Sequence, residues 1–248
     1  MYHFRKMNFF KGRTGSKRKY SDLLPELFIT LLGTVLGIVL TVGVTYCYDK
    51  RDKVEMARKV VMLTIHNLDV SIGSMERLVR ELDSQDSIFN YVLERRSSVA
   101  RISPDTLDMF VSALYSHRIR PIDSSTEEIF SSNFEIWKYI DDPKVIGRIA
   151  NCYSLMNKCG DEYDRIEKER YESFISVYDA VDPVVRKSDE EMAEALLQQG
   201  RIIRIIEALP AEIELLRQLI DNAKTLNDRN KTQLDVKQEE LDEIGNLI

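Results

Sequence analysis

The chain has 248 residues, and its 35 Lys+Arg against 41 Asp+Glu give a formal net charge of −6. Seven of those bases (Arg5, Lys6, Lys11, Arg13, Lys17, Arg18, Lys19) and none of the acids fall in residues 1–20, leaving 28 bases against 41 acids, a net of −13, for the rest. Ten glycines and six prolines, roughly half the usual share, argue against a turn-rich sandwich or barrel, and three cysteines exclude a disulfide scaffold.

Residues 1–22 read as a basic cytoplasmic tail. Tyr2, Phe4, Phe9 and Phe10 lie among its bases, a composition that suits an anionic membrane surface better than nucleic acid. Residues 23–48 read as a transmembrane signal-anchor. Leu27 to Tyr48 contains no charge, and as a helix it would be roughly 33 Å long, against a hydrocarbon core of about 30 Å. Tyr46 and Tyr48 fall where an interfacial aromatic belt is expected, and Glu26 stands at the other edge, within reach of the headgroups. No A-x-A-like cleavage site follows the apolar run, and Tyr46 before Cys47 does not fit a lipoprotein signal. Seven bases precede the span, and Lys50, Arg51, Lys53, Arg58 and Lys59 follow it, so the positive-inside bias puts the N-terminus in the cytoplasm. Within the span, Gly33, Gly37, Thr41 and Thr45 recur every four residues and form one ridge of small side chains. Such a ridge lets a second helix approach closely, although glycine is in any case common in membrane helices.

Residues 49–248 read as a helical extracytoplasmic domain, so the fold class is all-α. Val54, Val61, Ile65, Leu68, Ile72, Met75, Val79 and Leu82 keep a 3-4 spacing interrupted by Arg58, and no glycine or proline lies between Val44 and Ile72. The membrane helix is therefore expected to continue outward to a first turn at Asp83–Ser87. Ser103-Pro104 and Asp142-Pro143 pair a cap with proline at the first helical position. Arg120-Pro121 marks a loop, Asp182-Pro183 ends a long helix, and Ser188 with Glu191 forms a capping box. Leu209-Pro210 is expected to separate the last two helices. A second heptad track runs through Ile213, Leu216, Ile220, Ala223, Asn227, Asn230, Leu234, Lys237, Leu241, Ile244 and Ile248. It can pack against Val54–Leu82 within one subunit, the favoured arrangement, or form a coiled coil between subunits.

The segment Ser125-Thr126-Glu127-Glu128-Ile129-Phe130-Ser131-Ser132-Asn133, followed by Phe134, Ile136, Ile140 and Asp141-Asp142-Pro143, resembles a recurring motif of an uncharacterised bacterial family of small single-pass membrane proteins. Those proteins have a basic N-terminus and a helical extracytoplasmic domain. The family pattern is Thr-Tyr-Glu-Glu-Leu-x-Ser-Ser-Gly; here Ser125 and Asn133 stand at the threonine and glycine positions, and Thr126 departs from the aromatic. The resemblance implies architecture and location, not an activity. Physically, Ser125 can cap a helix with Glu128 completing the box, and Asn133 tolerates the left-handed turn after it. The motif thus reads as a corner between two helices; the alternative is a recognition surface formed by Glu127, Ser131, Ser132 and Trp137.

Catalytic chemistry is missing from the pattern. His3, His66 and His117 are isolated, and there is no H-E-x-x-H, C-x-x-C, P-loop, dinucleotide motif or G-x-S-x-G. Cys152 and Cys159, seven apart on one helix, are too distant to bridge each other; they suit an apolar ridge, or one could bridge to another chain. No cofactor and no metal are expected. The sequence points to a non-enzymatic, membrane-anchored interaction or scaffolding protein of the bacterial envelope, a homo-oligomer or accessory subunit. Its partners would be the lipid bilayer and other membrane or envelope proteins, with no nucleic acid. The alternative is a ligand-sensing extracytoplasmic domain that signals through a membrane partner, which rests on outline alone.

Overall fold

The computed structural model of the chain describes residues 20–118, 125–132, 134–140, 142–182, 188–237 and 239–241, with side chains from residue 32 onward apart from 125, 126, 129 and 134. Among them every regular element is helical and none is a strand. In chain order they are α1 (Tyr20–Glu94), a short 3-10 segment (Arg96–Arg101), α2 (Pro104–Tyr115), α3 (Ser125–Ser132), α4 (Phe134–Trp137), α5 (Pro143–Ala180), α6 (Asp189–Leu197) and α7 (Gly200–Gln233). The all-α fold expected from the sequence is the fold observed. The chain divides between Asp52 and Lys53 into two compact units.

In the first unit α1 carries the apolar run. Its described side chains, from Leu32 to Tyr48, are all exposed, and α1 is long and apolar enough there to cross a membrane. In the second unit the three long helices share a common seam. Arg217 pairs with Asp83, Lys224 with Glu76 and Lys231 with Asp69, so numbers rise along α7 as they fall along α1. The same inversion relates α7 to α5. Arg165 meets Glu212 at 2.7 Å, the Cys152 thiol donates to the Ala223 carbonyl at 3.4 Å, and the Arg148 guanidinium donates to Asn230 at 2.6 Å. The segments of α1 and α5 in this unit therefore run parallel, with α7 antiparallel to both. The second heptad track packs within the chain, as favoured from the pattern.

Val61, Ile65, Leu68, Ile72, Met75, Val79 and Leu82 are buried on α1, while Val54 is 42 % exposed. Each buried aliphatic side chain on this seam is worth about 1.5–3 kcal/mol. The expected caps form. The Ser103 hydroxyl accepts from Thr106 N–H, the Asp142 carboxylate from Lys144 N–H, and the Ser188 hydroxyl from Glu191 N–H. α5 ends at Ala180, next to the Asp182-Pro183 stop signal.

Three expectations are overturned. The first turn does not fall at Asp83–Ser87, because α1 runs on to Glu94. The polar string D-S-Q-D-S offers only local turn preference, whereas Phe89 and Val92, both 0 % exposed, extend the buried stripe beyond it. Leu209-Pro210 does not separate two helices, because Pro210 lies inside α7. The proline is on the exposed face, and buried Ile206, Leu209, Ile213 and Leu216 hold the helix on both sides of it, together outweighing a defect of about 3 kcal/mol. The heptad track does not run as helix to Ile248. α7 ends at Gln233, and Asp235 adopts a left-handed backbone with φ 49°, which turns the chain. Lys237 is exposed, Leu241 returns to the core, and Ile244 and Ile248 lie outside the described residues, as does the expected Arg120-Pro121 loop.

If α7 is one helix with a tolerated defect, Pro210→Ala restores a backbone hydrogen bond and stabilises the protein by about 1–3 kcal/mol. Urea unfolding in mild detergent checks this; an unchanged or lowered midpoint would mean that the chain needs its break at Pro210.

Candidate functional site

The ridge on the membrane helix is the first candidate. At Gly33 and Gly37 an added Cβ would meet nothing within 4 Å, so neither glycine serves packing inside its own chain. The Thr41 hydroxyl donates to the Gly37 carbonyl at 2.7 Å and the Thr45 hydroxyl to the Thr41 carbonyl at 2.8 Å. Both hydroxyls are thus satisfied one turn back, and the ridge presents small, hydrogen-bonded side chains rather than bare polar groups. Cys47 on the same stretch is exposed and free.

The motif around Ser125–Trp137 runs through α3 and α4. Ser125 opens α3, but its side chain and the whole of Asn133 lie outside the described residues. Ser131 donates to the Glu128 carbonyl at 3.1 Å, a contact internal to the last turn. Glu128 and Ser132 are exposed. Glu127 accepts from Asn157 of α5 at 2.9 Å, which ties α3 to the bundle. Trp137 is only 4 % exposed. Its indole N–H donates to the Phe130 carbonyl at 2.9 Å, and its ring lies 4.8 Å from that of Phe130. Trp137 is therefore a core anchor rather than part of a surface, and it shares an apolar cluster with Val61, Met62, Val145 and Ile149. Glu128, Ser131 and Ser132 stand on the exposed side of α3.

The second unit also has a groove of about 300 Å³, with Val54, Met62, Ile140, Leu234 and Val236 on its walls. Arg58, Tyr139, Asp142 and Gln233 also line it. Asp142 accepts from Lys144 N–H and from the Gln233 amide, and those hydrogen bonds hold its carboxyl below the usual range. Sequence reasoning did not find this groove, because its walls come from four separate segments.

A second feature missed in the sequence is a buried charge centre. Glu167 and Arg170, one turn apart on α5, are each 1 % exposed and 2.5 Å apart. Arg170 also donates to Gln85 of α1 at 2.6 Å and to the Ser116 carbonyl after α2 at 3.1 Å. The second oxygen of Glu167 accepts from Arg118 N–H at 3.0 Å, and the Arg118 guanidinium reaches Glu81. Burial pulls the Arg170 guanidinium below its ordinary pKa, and the carboxylate of Glu167 beside it opposes that shift. It remains charged at physiological pH. The available signal was its register: Val145, Ile149, Cys152, Met156, Cys159, Tyr163 and Ile166 are buried at 3-4 spacing, and Arg170 is the next position.

Cys152 and Cys159 are both 0 % exposed, their thiols directed at the carbonyls of Ala223 and Leu216 on α7. Burial pushes the Cys152 thiol up to about 12. They form the apolar ridge, and their burial excludes the bridge to another chain. Among the described residues no three His, Cys, Asp or Glu side chains are grouped to hold a metal ion.

Removing one partner of the buried pair leaves an uncompensated charge. Glu167→Gln is expected to destabilise the protein by about 3–5 kcal/mol. Replacing both residues by apolar ones of similar size, Glu167→Leu with Arg170→Met, should recover most of that loss. Thermal unfolding of the three variants decides it; a single variant as stable as the parent would show that the pair is not buried.

The chain matches no family model, no curated protein and no solved structure. What it does therefore has to be read from its own geometry.

Proposed function

We propose that the chain is a non-catalytic, membrane-anchored interaction or scaffolding protein of a bacterial envelope. Its N-terminus is cytoplasmic, and the helical unit after the span is extracytoplasmic. One observation carries the reading: from Leu32 to Tyr48 α1 is exposed all round and apolar. A helix that is apolar on every side and covered by none of the described residues fits lipid as its solvent. The threonine hydroxyls within it are satisfied by backbone carbonyls, as a hydrocarbon environment demands. The bases on either side of the span support the orientation, and the motif at Ser125–Asn133 supports the bacterial setting.

In the second unit the buried pair and a half-buried one have structural employment. Glu167 and Arg170 join α5 to α1 and to the end of α2, and Asp69 and Lys231 join α1 to α7. Groups held this way serve shape, which suits a protein that positions others. The small ridge at Gly33, Gly37, Thr41 and Thr45 offers the route to a partner inside the membrane.

A chain tagged at its C-terminus should stay with membranes through alkaline carbonate washing, and protease should remove the tag in intact spheroplasts. Arginine in place of Leu36 and of Val39 costs about 2.5–3.5 kcal/mol each at mid-membrane and should release the chain from the membrane. Protection of the tag would overturn the orientation, and a carbonate-soluble parent would overturn the anchor. A strictly monomeric species in mild detergent, with nothing co-purifying, would overturn the scaffolding role.

A further inference from the structure

We infer that the groove at the Val54–Arg58 end of the second unit is a binding site for an anionic phospholipid of the bilayer that holds the span. The inference rests on the anchor reading above.

The first support is reach. Six residues lead from Tyr48 to Val54, a tether of at most about 22 Å however the chain runs. Val54, on the groove wall, is therefore within that length of chain from the end of the span.

The second support is the chemistry of the site. Most of the residues that line the groove are apolar, and Val54 among them is 42 % exposed. In water that surface is unfavourable, and an acyl chain would cover it. Cations stand over the same edge. The Lys53 ammonium lies 6.0 Å from the Tyr139 ring and the Lys138 ammonium 5.6 Å from it. An aromatic ring flanked by long basic side chains is the composition of a membrane interface, where the stems lie on apolar surface and the charges reach phosphate.

The third support is charge. The chain after residue 20 is acidic overall, yet this edge presents Lys53, Arg58, Lys138 and Lys144. Three of its acids, Asp142, Glu135 and Glu240, are engaged. Asp142 caps α5 and accepts from Gln233, and Glu135 pairs with Lys138. Glu240 meets Arg58 at 3.7 Å in an exposed pair, which a phosphate diester can displace at little expense. Lys53 and Lys144 have no ion pair among the described residues. The occupant that fits apolar walls beside these cations is a lipid with a net negative headgroup: the acyl chain lies along Val54, Met62 and Ile140, and the phosphate meets Lys53 and, in place of Glu240, Arg58.

The chain contains one tryptophan, Trp137, and it shares an apolar cluster with Met62 and Val145 of the groove wall. Bromine quenches tryptophan only over about one side-chain layer, so Trp137 reports lipid in the groove. The full chain is reconstituted in phosphatidylcholine vesicles containing a small fraction of brominated phosphatidylglycerol or, separately, of brominated phosphatidylcholine. The anionic lipid should quench Trp137 with about twenty-five-fold higher apparent affinity, from roughly five-fold for each of two basic side chains near the phosphate. The double variant Lys53→Gln, Arg58→Gln should lose that preference with its emission maximum unchanged. Equal quenching by the two lipids, or none, overturns the inference, as it would if the chain's own last residues or a second copy filled the groove. A chain that washes off the vesicles in alkaline carbonate overturns the anchor and the groove together. One that stays without selective quenching overturns the groove alone.

Discussion

A guanidinium held at 1 % exposure among apolar side chains has to be neutralised where it stands, and Arg170 dictates much of the geometry around it. Transfer of an isolated charge into a bundle core costs more than a whole domain's stability margin. Four groups share the neutralisation, and they come from three places: Glu167 on α5, Gln85 on α1, and the carbonyl and hydroxyl of Ser116 after α2. If any of these elements shifts by one turn, the charge loses a partner. Greasy seams between parallel and antiparallel helices tolerate sliding, because one aliphatic side chain substitutes for another. The buried cation removes that tolerance at the end of the bundle where α2 joins it.

The opposite half of the unit is fixed by a different polar device. Asn227, buried at 0 % exposure on α7, donates to the Ile65 carbonyl at 3.1 Å and to the Asp69 carboxylate at 2.8 Å. One turn on, Asn230 accepts from Arg148 of α5. The two asparagines sit at heptad positions that elsewhere on α7 hold Ile213, Leu216, Ile220 and Ala223, and they bind one to each neighbouring helix. A polar residue at such a position selects register at some cost in stability. Here the cost is visible, since Asn227 Oδ1 and Asn230 Nδ2 are buried without protein partners. The three-helix seam is thus pinned at both ends by polar groups and glued between them by aliphatic packing.

What the sequence made legible follows from this arrangement. The stripes on α1 and α7 could be read because they repeat, and the caps at Ser103, Asp142 and Ser188 because their chemistry is local. The continuation of α1 past Asp83 could not be read from D-S-Q-D-S. It depends on Phe89 packing edge-on against Phe110 of α2, ring centroids 5.8 Å apart, a contact that exists only after folding. Pro210 misled for the same reason, since its penalty is local while the four buried side chains around it act through tertiary packing. Glu167 and Arg170 sit in the string Glu167-Lys168-Glu169-Arg170, which reads as a solvated face. Only the 3-4 register of α5 singles out Arg170 as an inward position. The Ser125–Asn133 segment offers only local capping chemistry, and the role of Trp137 as a buried anchor depends on Phe130 and on the start of α5, which composition does not bring together.

The two units answer opposite burial problems. The second internalises charge and neutralises it by partners drawn from several helices. The first leaves an apolar helix uncovered and keeps its few hydroxyls satisfied by its own backbone. Between these regimes the chain has only a few residues, and its character changes within them: Tyr46 and Tyr48, then Lys50, Arg51 and Lys53, then Val54 and Met56 still exposed. A purely aqueous domain would have no reason to begin its first stripe with exposed valine and methionine. A purely lipid-facing one would exclude four bases in nine residues. The mixture is what an interface selects, because an apolar floor and a charged rim gain together only where hydrocarbon and phosphate lie within one side-chain length of each other. The same mixture recurs at Tyr139, Lys138 and Ile140, on an element far away in sequence that folding brings to the same edge of the unit. Recurrence on an unrelated segment separates a built surface from the tail of a membrane helix, and it is the ground for proposing that this edge of the bundle, and not the span alone, is suited to a bilayer surface.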